Sequence, residues 1–229
     1  MVEFIDFDDH HAMAAEYAAS SLPAETQPTP TEQGTEAWFL ERCCYISASC
    51  MSDMLAGGTG VTRNKYKVKL ALERLTGKPA KEGFKNTHME RGNALEGEAR
   101  ELYSLLHDVD IGQVGFIKHP TVANYGASPD GIIGDDGLIE IKARDSHVHI
   151  EFLLSKKVPS EAILQMQAQM ACTGRKWVDY ACYNEDMPPR LRLFVVRVER
   201  DEEQIRVLEQ SVIQFNDEIE ALCERLRKI

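Results

Sequence analysis

No stretch of the sequence comes near the roughly 20 consecutive apolar residues that a membrane-spanning helix needs, which excludes a helical membrane protein. The first residues are acidic, with no basic segment leading into an apolar one. That argues against a secretory signal and for a cytoplasmic chain. Cys43, Cys44, Cys50, Cys172, Cys182 and Cys223 form no CxxC pair, so zinc or iron–sulfur ligation has no scaffold and reduced, buried thiols are expected. No internal repeat is present. Basic residues are in the minority, 26 against 37 acidic, for a net charge of -11. The total by itself disfavours a polyanionic partner, because phosphate contacts draw on Lys and Arg.

The distribution of charge says more than the sum. Arg63, Lys65, Lys67, Lys69, Arg74, Lys78, Lys81, Lys85 and Arg91 form a basic band, with only Glu73, Glu82 and Glu90 among them. Such a band on an acidic body steers an anionic polymer to one surface; the alternative is a solvated helix face without a partner. Residues 1–30 read as a tail, mobile or docked, that is acidic at first and then interrupted by Pro23, Pro28 and Pro30. A short helix near His11 to Ala19 fits it. His10 and His11 beside Asp8 and Asp9 are either a solvated polar turn or a metal site. Residues 31–229 read as a single domain.

Helical spacing dominates the first half of that domain. One or two helices are expected between Gln33 and Leu55, with Trp38, Leu40 and Tyr45 toward the core, broken by Gly57, Gly58 and Gly60. A basic helix from Lys65 to Leu75 should stop at Gly77 and Pro79. The next opens near Thr87, with Glu90 at capping-box spacing. In it Leu95, Ala99, Leu102 and Leu106 share the face expected to be buried, and Glu96, Arg100 and Tyr103 share another. Strands are then expected at 115–118, 131–133, 138–143, 177–183 and 190–198. A helix capped by Ser160 and stopped by Gly174 lies between the third and fourth. A final amphipathic helix carries Ile205, Leu208, Val212, Phe215, Ile219, Leu222 and Leu226 and packs on the sheet or on another subunit. This order predicts an α/β fold with a mixed central sheet flanked by helices.

The chemistry concentrates between Ser128 and Lys142. Two apolar strands flank the turn Gly134-Asp135-Asp136-Gly137 and return Asp130 to the neighbourhood of Glu140, opposite it or one position off, since Gly131 permits a bulge. Strand alternation puts Glu140 and Lys142 on one face and turns Ile141 to the other. Two carboxylates and an ammonium at the end of an apolar hairpin are costly to bury unpaired. A hard divalent cation such as Mg2+ resolves that cost with oxygen ligands, the Ile141 carbonyl among them. Lys142 would orient a water and stabilise charge on a reacting phosphate. The competing reading is a structural ion pair at the hairpin mouth.

Ser128-Pro129-Asp130-Gly131 followed by Glu140-Ile141-Lys142 resembles the PD-(D/E)XK nuclease core. From about Gln33 onward the chain is similar to one branch, phage lambda exonuclease and related viral-type recombination exonucleases. The likeness rests on Gln33-Gly34 with Trp38, then Arg42, then Ser47-Ala48-Ser49; on Gly92 with Glu96; and on Gln165-x-Gln167. It implies a restriction-endonuclease-like core and a 5′-to-3′ exonuclease on double-stranded DNA. Such an enzyme releases mononucleotides and leaves a 3′ single strand. It further implies a homotrimeric ring around the duplex, Mg2+ (with Mn2+ substituting), a single-strand annealing partner, and the cytoplasm of a bacterial host. Asp130, Glu140, Glu96 and the Ile141 carbonyl would ligate metal, and Lys142 would assist the attacking water. Arg42, Ser49, Ser128 and Gln165 would bind the 5′-phosphate, although Gln167 and Gln169 compete for the glutamine's place. Met89 would be the wedge that parts the end base pair, or a core filler, and Arg63 and Lys65 would touch the duplex backbone. Glu96 has pairing with Arg100 as its alternative, and Arg42 pairing with Glu41. No aspartate matches the first ligand of many relatives' second metal site, where His119-Pro120 stands nearby. One or two ions per site are therefore compatible with the chain. The other functions the residues allow are a PD-(D/E)XK endonuclease with a specific target and a non-catalytic DNA-binding protein.

Overall fold

The computed structural model describes residues 31–57, 60–80 and 95–229 in full, and residues 2–3 and 87–94 by their backbone. Its order is β1 (Val2–Glu3), α1 (Glu36–Arg42), β2 (Ile46–Ser47), α2 (Met51–Leu55), α3 (Val61–Thr76), α4 (Thr87–His107), β3 (Ile111–Gly112), β4 (Ile117–Lys118), β5 (Tyr125–Ala127), β6 (Gly131–Ile133), β7 (Gly137–Ala143), α5 (Ser146–Ser155), α6 (Ser160–Thr173), β8 (Trp177–Tyr183), β9 (Leu193–Glu199) and α7 (Glu202–Arg227). The main sheet runs β1-β9-β8-β7-β6-β3, mixed because β7 and β8 are parallel and the other pairs antiparallel. A second sheet, β2-β5-β4, pairs β2 with β5 in parallel, setting Ser47 opposite Gly126.

Strand alternation along β7 separates two cores. Leu138 belongs to the larger one, with Met166 and Met170 of α6, Tyr66 and Leu70 of α3, and Val212, Phe215 and Ile219 of α7. Ile139 and Ile141 point to the smaller one, with Ala99 and Tyr103 of α4. The apolar stripe of α7 thus packs on α3 and α6 from Ile205 to Leu222, whereas Leu226, expected in it, is 43% exposed. Where helices end, the sequence shows why: Gly77 and Gly174 take the left-handed conformation, φ 66° and 72°, and their own N–H groups close the last turn on the Glu73 and Met170 carbonyls.

Several expectations change. Leu40 and Leu106, expected inside, are 52% and 43% exposed, while Tyr103 is buried because its hydroxyl donates to the buried carboxylate of Asp179 at 2.5 Å. Arg197 grips the same carboxylate from the neighbouring strand. Tyr45 is half-buried and packs edge-on against Phe116. Ser160 is the first residue of α6 and not its cap; the Pro159 carbonyl takes the first N–H groups. Helix α5 and the two- and three-residue strands β2, β3 and β5 add to the elements expected from the sequence pattern. The 190–198 strand begins at Leu193, after a short 3-10 turn at Pro189–Leu191. Gly131 makes no bulge. The ladder is regular, and a side chain there would collide with Ile111. All six cysteines are free. The turn proposed at Asp8–His11 and the helix near His11–Ala19 lie outside the described residues.

The basic band is partly spent on packing α3 against α7. Arg63 donates both terminal nitrogens to Glu218 at 2.7 and 2.8 Å and its Nε to the Met54 carbonyl, Lys67 joins the same carboxylate, and Arg74 reaches Asn216. The hydrogen bond from Arg63, with that from Lys67, pulls the Glu218 carboxyl down to about 2. The folded protein thus binds this proton less readily than the unfolded chain, whose carboxyl titrates at about 4.3. The pair's stability is therefore present above that pH and lost as the pH falls toward about 2. Glu218→Gln should cost roughly 1 kcal/mol at neutral pH, given the partial solvent screening. In melts taken across the acid range, the gap between parent and variant should close as Glu218 is protonated; a gap independent of pH would contradict the pairing.

Candidate active site

The β6–β7 hairpin fixes the centre. Gly131 pairs with Ile139 as the last step of the ladder; continued by one residue, the same register would set Asp130 opposite Glu140, the direct one of the two alternatives. The Asp130 carboxylate accepts the Ile141 N–H at 2.7 Å. Arg175 clamps the far end of the hairpin, donating to the carbonyls of Ile133, Gly134 and Gly137. Arg100 of α4 donates to the Asp130 carbonyl at 3.1 Å, and Gln33 donates to the Pro129 carbonyl at 2.9 Å, so the approach to Asp130 is held from both sides.

Glu140 is fully buried and engaged on both oxygens. Lys142, two residues along the same face, forms an ion pair with Oε1. Gln165 donates to Oε1 at 2.7 Å, and Gln169 to Oε2 at 2.6 Å. These glutamines are four apart on α6 and share one face. Gln167 points the other way, donating to the Glu199 carbonyl and accepting the Asp201 N–H. Of the three, Gln165 and Gln169 line the cavity and bond Glu140, and Gln167 is turned away from it. Their i, i+4 spacing is the signal in the sequence that points to Gln169 once Gln165 is placed.

The electrostatics are those of a crowded anionic corner. Desolvation, then the Glu140 charge, raise the Asp130 carboxyl well above its usual range, against the pull of Lys142. Burial likewise raises Glu96, which sits within the field of Lys142, Glu140 and Arg100. Burial by itself would depress Lys142, but Glu140 and Asp130 outweigh it, so the ammonium stays charged beyond its ordinary value.

A second group converges on the same cavity from α1 and the small sheet. Arg42 lies 4.0 Å over the Trp38 ring and donates to Ser47 Oγ at 2.8 Å and to Ser49 Oγ at 3.4 Å. Trp38 Nε1 in turn donates to Ser128 Oγ at 3.1 Å. Burial lowers the Arg42 guanidinium from its ordinary value, only partly offset by the fields of Cys50, Tyr66 and Glu73. Glu41, its alternative partner, accepts from Thr31 instead. Among the described residues Arg42 is bonded only to hydroxyls, which leaves a positive fork to be neutralised by an anion. The parallel β2–β5 pair explains the convergence, since it sets the Ser47–Ser49 segment beside the strand that runs on into Ser128.

One cavity of about 150 Å³ joins both groups: Arg42, Ser49 and Ser128 line it together with Asp130, Glu140, Lys142, Gln165 and Gln169. Gln33, Trp38 and Ser47 line it too, present in the sequence motifs but not assigned to the site. Glu96 is not among the lining residues, and its carboxyl lies in the field of Lys142, Glu140 and Arg100. Arg63 and Lys65 lie elsewhere, Arg63 committed to Glu218 and Lys65 exposed on α3. The Met89 side chain lies outside the described residues.

Among the described residues no three His, Cys, Asp or Glu side chains close into a finished metal cage. The donor set nevertheless suits a hard divalent cation. Asp130 lies in the field of Glu140, and the Ile141 carbonyl lies between Glu140 and Lys142 in sequence, so two carboxylates and a carbonyl are brought to one buried corner.

The family profile of the YqaJ-like viral recombinase domain matches residues 37–176. An alkaline exonuclease from Laribacter hongkongensis superposes with a TM-score of 0.78 at 40% identity, over 85% of this chain and 97% of its own. Its complex with dAMP gives 0.80 at 41%, with the same coverage. A phage-related exonuclease from Haemophilus somnus, 16% identical, shares the fold at a TM-score of 0.60 over 77% of this chain and 95% of its own. No curated protein matches. The matched span contains Arg42, Ser49, Glu96, Ser128, Asp130, Glu140, Lys142 and the α6 glutamines, and the chain belongs to the YqaJ-like viral recombinase family, as its likeness to the phage-type recombination exonucleases implied.

Proposed function

We propose that the protein is a divalent-cation-dependent 5′-to-3′ exonuclease on double-stranded DNA. It grips the 5′-phosphate with Arg42, Ser49, Ser128 and Gln165 and cuts beside Asp130, Glu140 and Lys142. The observation that carries this reading is the single cavity in which the half-buried Arg42 guanidinium and the carboxylate–ammonium corner meet. Its volume of about 150 Å³ suits a phosphate group and a few waters. Ser128 and Asp130 are two residues apart along the chain, roughly 7 Å if extended, a step on the scale of neighbouring phosphates in one strand. The exonuclease activity of the 40%-identical relative supports the same reading.

Asp130, Glu140, the Ile141 carbonyl and Glu96 would hold Mg2+, or Mn2+ in its place. When bound, the cation would make water a better nucleophile and offset charge on the phosphate. Lys142 keeps its proton and presents it toward the phosphate oxygens, stabilising charge as water adds in line at phosphorus. The P–O3′ bond breaks, the 3′ oxygen takes up a proton, and a mononucleotide leaves. The shortened strand then ends in a new 5′-phosphate, the group the Arg42 fork accepts. Lys65 is assigned to the duplex backbone and Met89 to parting the end pair. A homotrimeric ring, a single-strand annealing partner and residence in a bacterial host's cytoplasm complete the proposal. Their support is the resemblance to phage-type recombination exonucleases.

Linear duplex DNA with 5′-phosphates should be degraded in Mg2+ and spared in a chelator, while closed circles stay intact. Cutting of circles would instead identify an endonuclease. Lys142→Ala should lower the rate by about 100-fold or more, in line with loss of a group that stabilises transition-state charge; digestion at the parent rate would remove Lys142 from the chemistry. Arg42→Ala should lose more activity on 5′-phosphorylated ends than on 5′-hydroxyl ends, and equal losses would take the phosphate away from Arg42.

A further inference from the structure

Gln169 is the residue of the cavity whose hydrogen bonding is only half used. It is fully buried, lines the cavity, and gives its Nε2 to Glu140 Oε2 at 2.6 Å. The carboxylate dictates the amide's orientation, since only the NH2 end can face it. The other end, Oε1, is buried and has no donor among the described residues. Leaving such an acceptor unmatched is unfavourable, because its hydration is lost with nothing in exchange. Whatever satisfies it must bring a hydrogen or a positive charge. The phosphodiester of DNA brings neither at its oxygens, so Gln169 is not a second phosphate grip. Gln165 differs, being half-buried and bonded to the oxygen that Lys142 also holds.

We propose that Gln169 is a positioning residue for the hydrolytic water. Its amide nitrogen fixes the rotamer of Glu140, and its amide oxygen accepts a hydrogen bond from a water beside that carboxylate. The proposal rests on the nuclease reading above and divides the two α6 glutamines by task. Gln165 faces the 5′-phosphate side, and Gln169 faces the water. Among the described residues of the cavity wall, no other combines a donor fixed on Glu140 with a buried, unmatched acceptor.

The test compares the full-length parent with Gln169→Met, which keeps the length and removes both polar ends, and Gln169→Asn, which keeps the amide one methylene short. On 5′-phosphorylated duplex, kcat should fall about 10- to 100-fold in both at an unchanged KM, with the preference for 5′-phosphate over 5′-hydroxyl ends preserved. Calorimetric titration with Mn2+ alone should show weaker binding by about 10-fold or more, because Glu140 loses its fixed rotamer. A variant with the parent's kcat and Mn2+ affinity would overturn the proposal. So would a raised KM with loss of the 5′-phosphate preference, which would make Gln169 a phosphate ligand. If Gln169→Met does not melt cooperatively, Gln169→Asn carries the comparison. A parent inactive on all DNA would defeat the nuclease reading instead, and the Mn2+ titration would still decide whether Gln169 acts on Glu140.

Discussion

The Glu140 carboxylate, wholly enclosed between the main sheet and α6, is the interaction to which the rest of the site is fitted. An unpaired charge at such a depth would destabilise the fold by several kcal/mol. Three side chains answer it, one from its own strand and two from the helix above. The Lys142 contribution follows from strand periodicity alone, since residues two apart share a face. The glutamines require α6 to cross β7 in one rotational setting. That setting is fixed by Met166 and Met170, which are buried in the larger core while Gln165 and Gln169 face the carboxylate. Hydrophobic packing and charge compensation therefore select the same helix orientation, which is the agreement between levels expected of a specific fold.

Much of this arrangement is legible in the amino-acid sequence. The hairpin can be read because its strands alternate cleanly and its turn is rich in Gly and Asp. The shared face of Glu140 and Lys142 needs nothing more. The long stripe of α7 is legible for the same reason, from periodicity over 26 residues. The short strands β2 and β5 are not, because two or three residues carry no period. Their pairing sets Ile46 against Tyr125, positions far apart in the chain. Yet that pairing is what brings the Ser47–Ser49 segment to Ser128. The sequence motifs name these residues without explaining why they meet. Tyr103 is misread from sequence for a related reason. Its helical face looks polar beside Glu96 and Arg100, but Asp179 and Arg197, distant in sequence, supply the buried partners that draw it inward. The basic band is legible as composition and misleading as a surface, since Glu218 claims Arg63 and Lys67 from another helix.

The net charge of -11 does not bar an anion from the Arg42 pocket, because the two act at different ranges. At physiological salt the field of exposed charges is screened within about 8 Å. The Arg42 fork, by contrast, works at hydrogen-bond distance and is sheltered by the Trp38 ring. Its surroundings are hydroxyls, so an arriving anion displaces no carboxylate partner. Affinity in such a pocket depends on geometry and local desolvation and very little on the sum over the surface.

The geometry of the two halves is coupled through one short piece of backbone. Ser128, Pro129 and Asp130 follow one another, so the hydroxyl beside Trp38 and the carboxylate in the field of Glu140 cannot drift apart by more than the slack of two residues. That slack is largely removed. The proline restricts one torsion, Gln33 holds its carbonyl, Arg100 holds the next, and Trp38 holds the Ser128 hydroxyl. Arg42 stacks on that same Trp38 ring, so the cation that would bind the end of a strand and the carboxylate that would cut beside it share a single rigid connection. A substitution at Trp38 would therefore disturb both halves together, although its side chain bears no charge and performs no chemistry. Preorganisation of this kind is what a site needs when its substrate arrives repeatedly in the same pose, because small displacements of a reacting group reduce rates steeply.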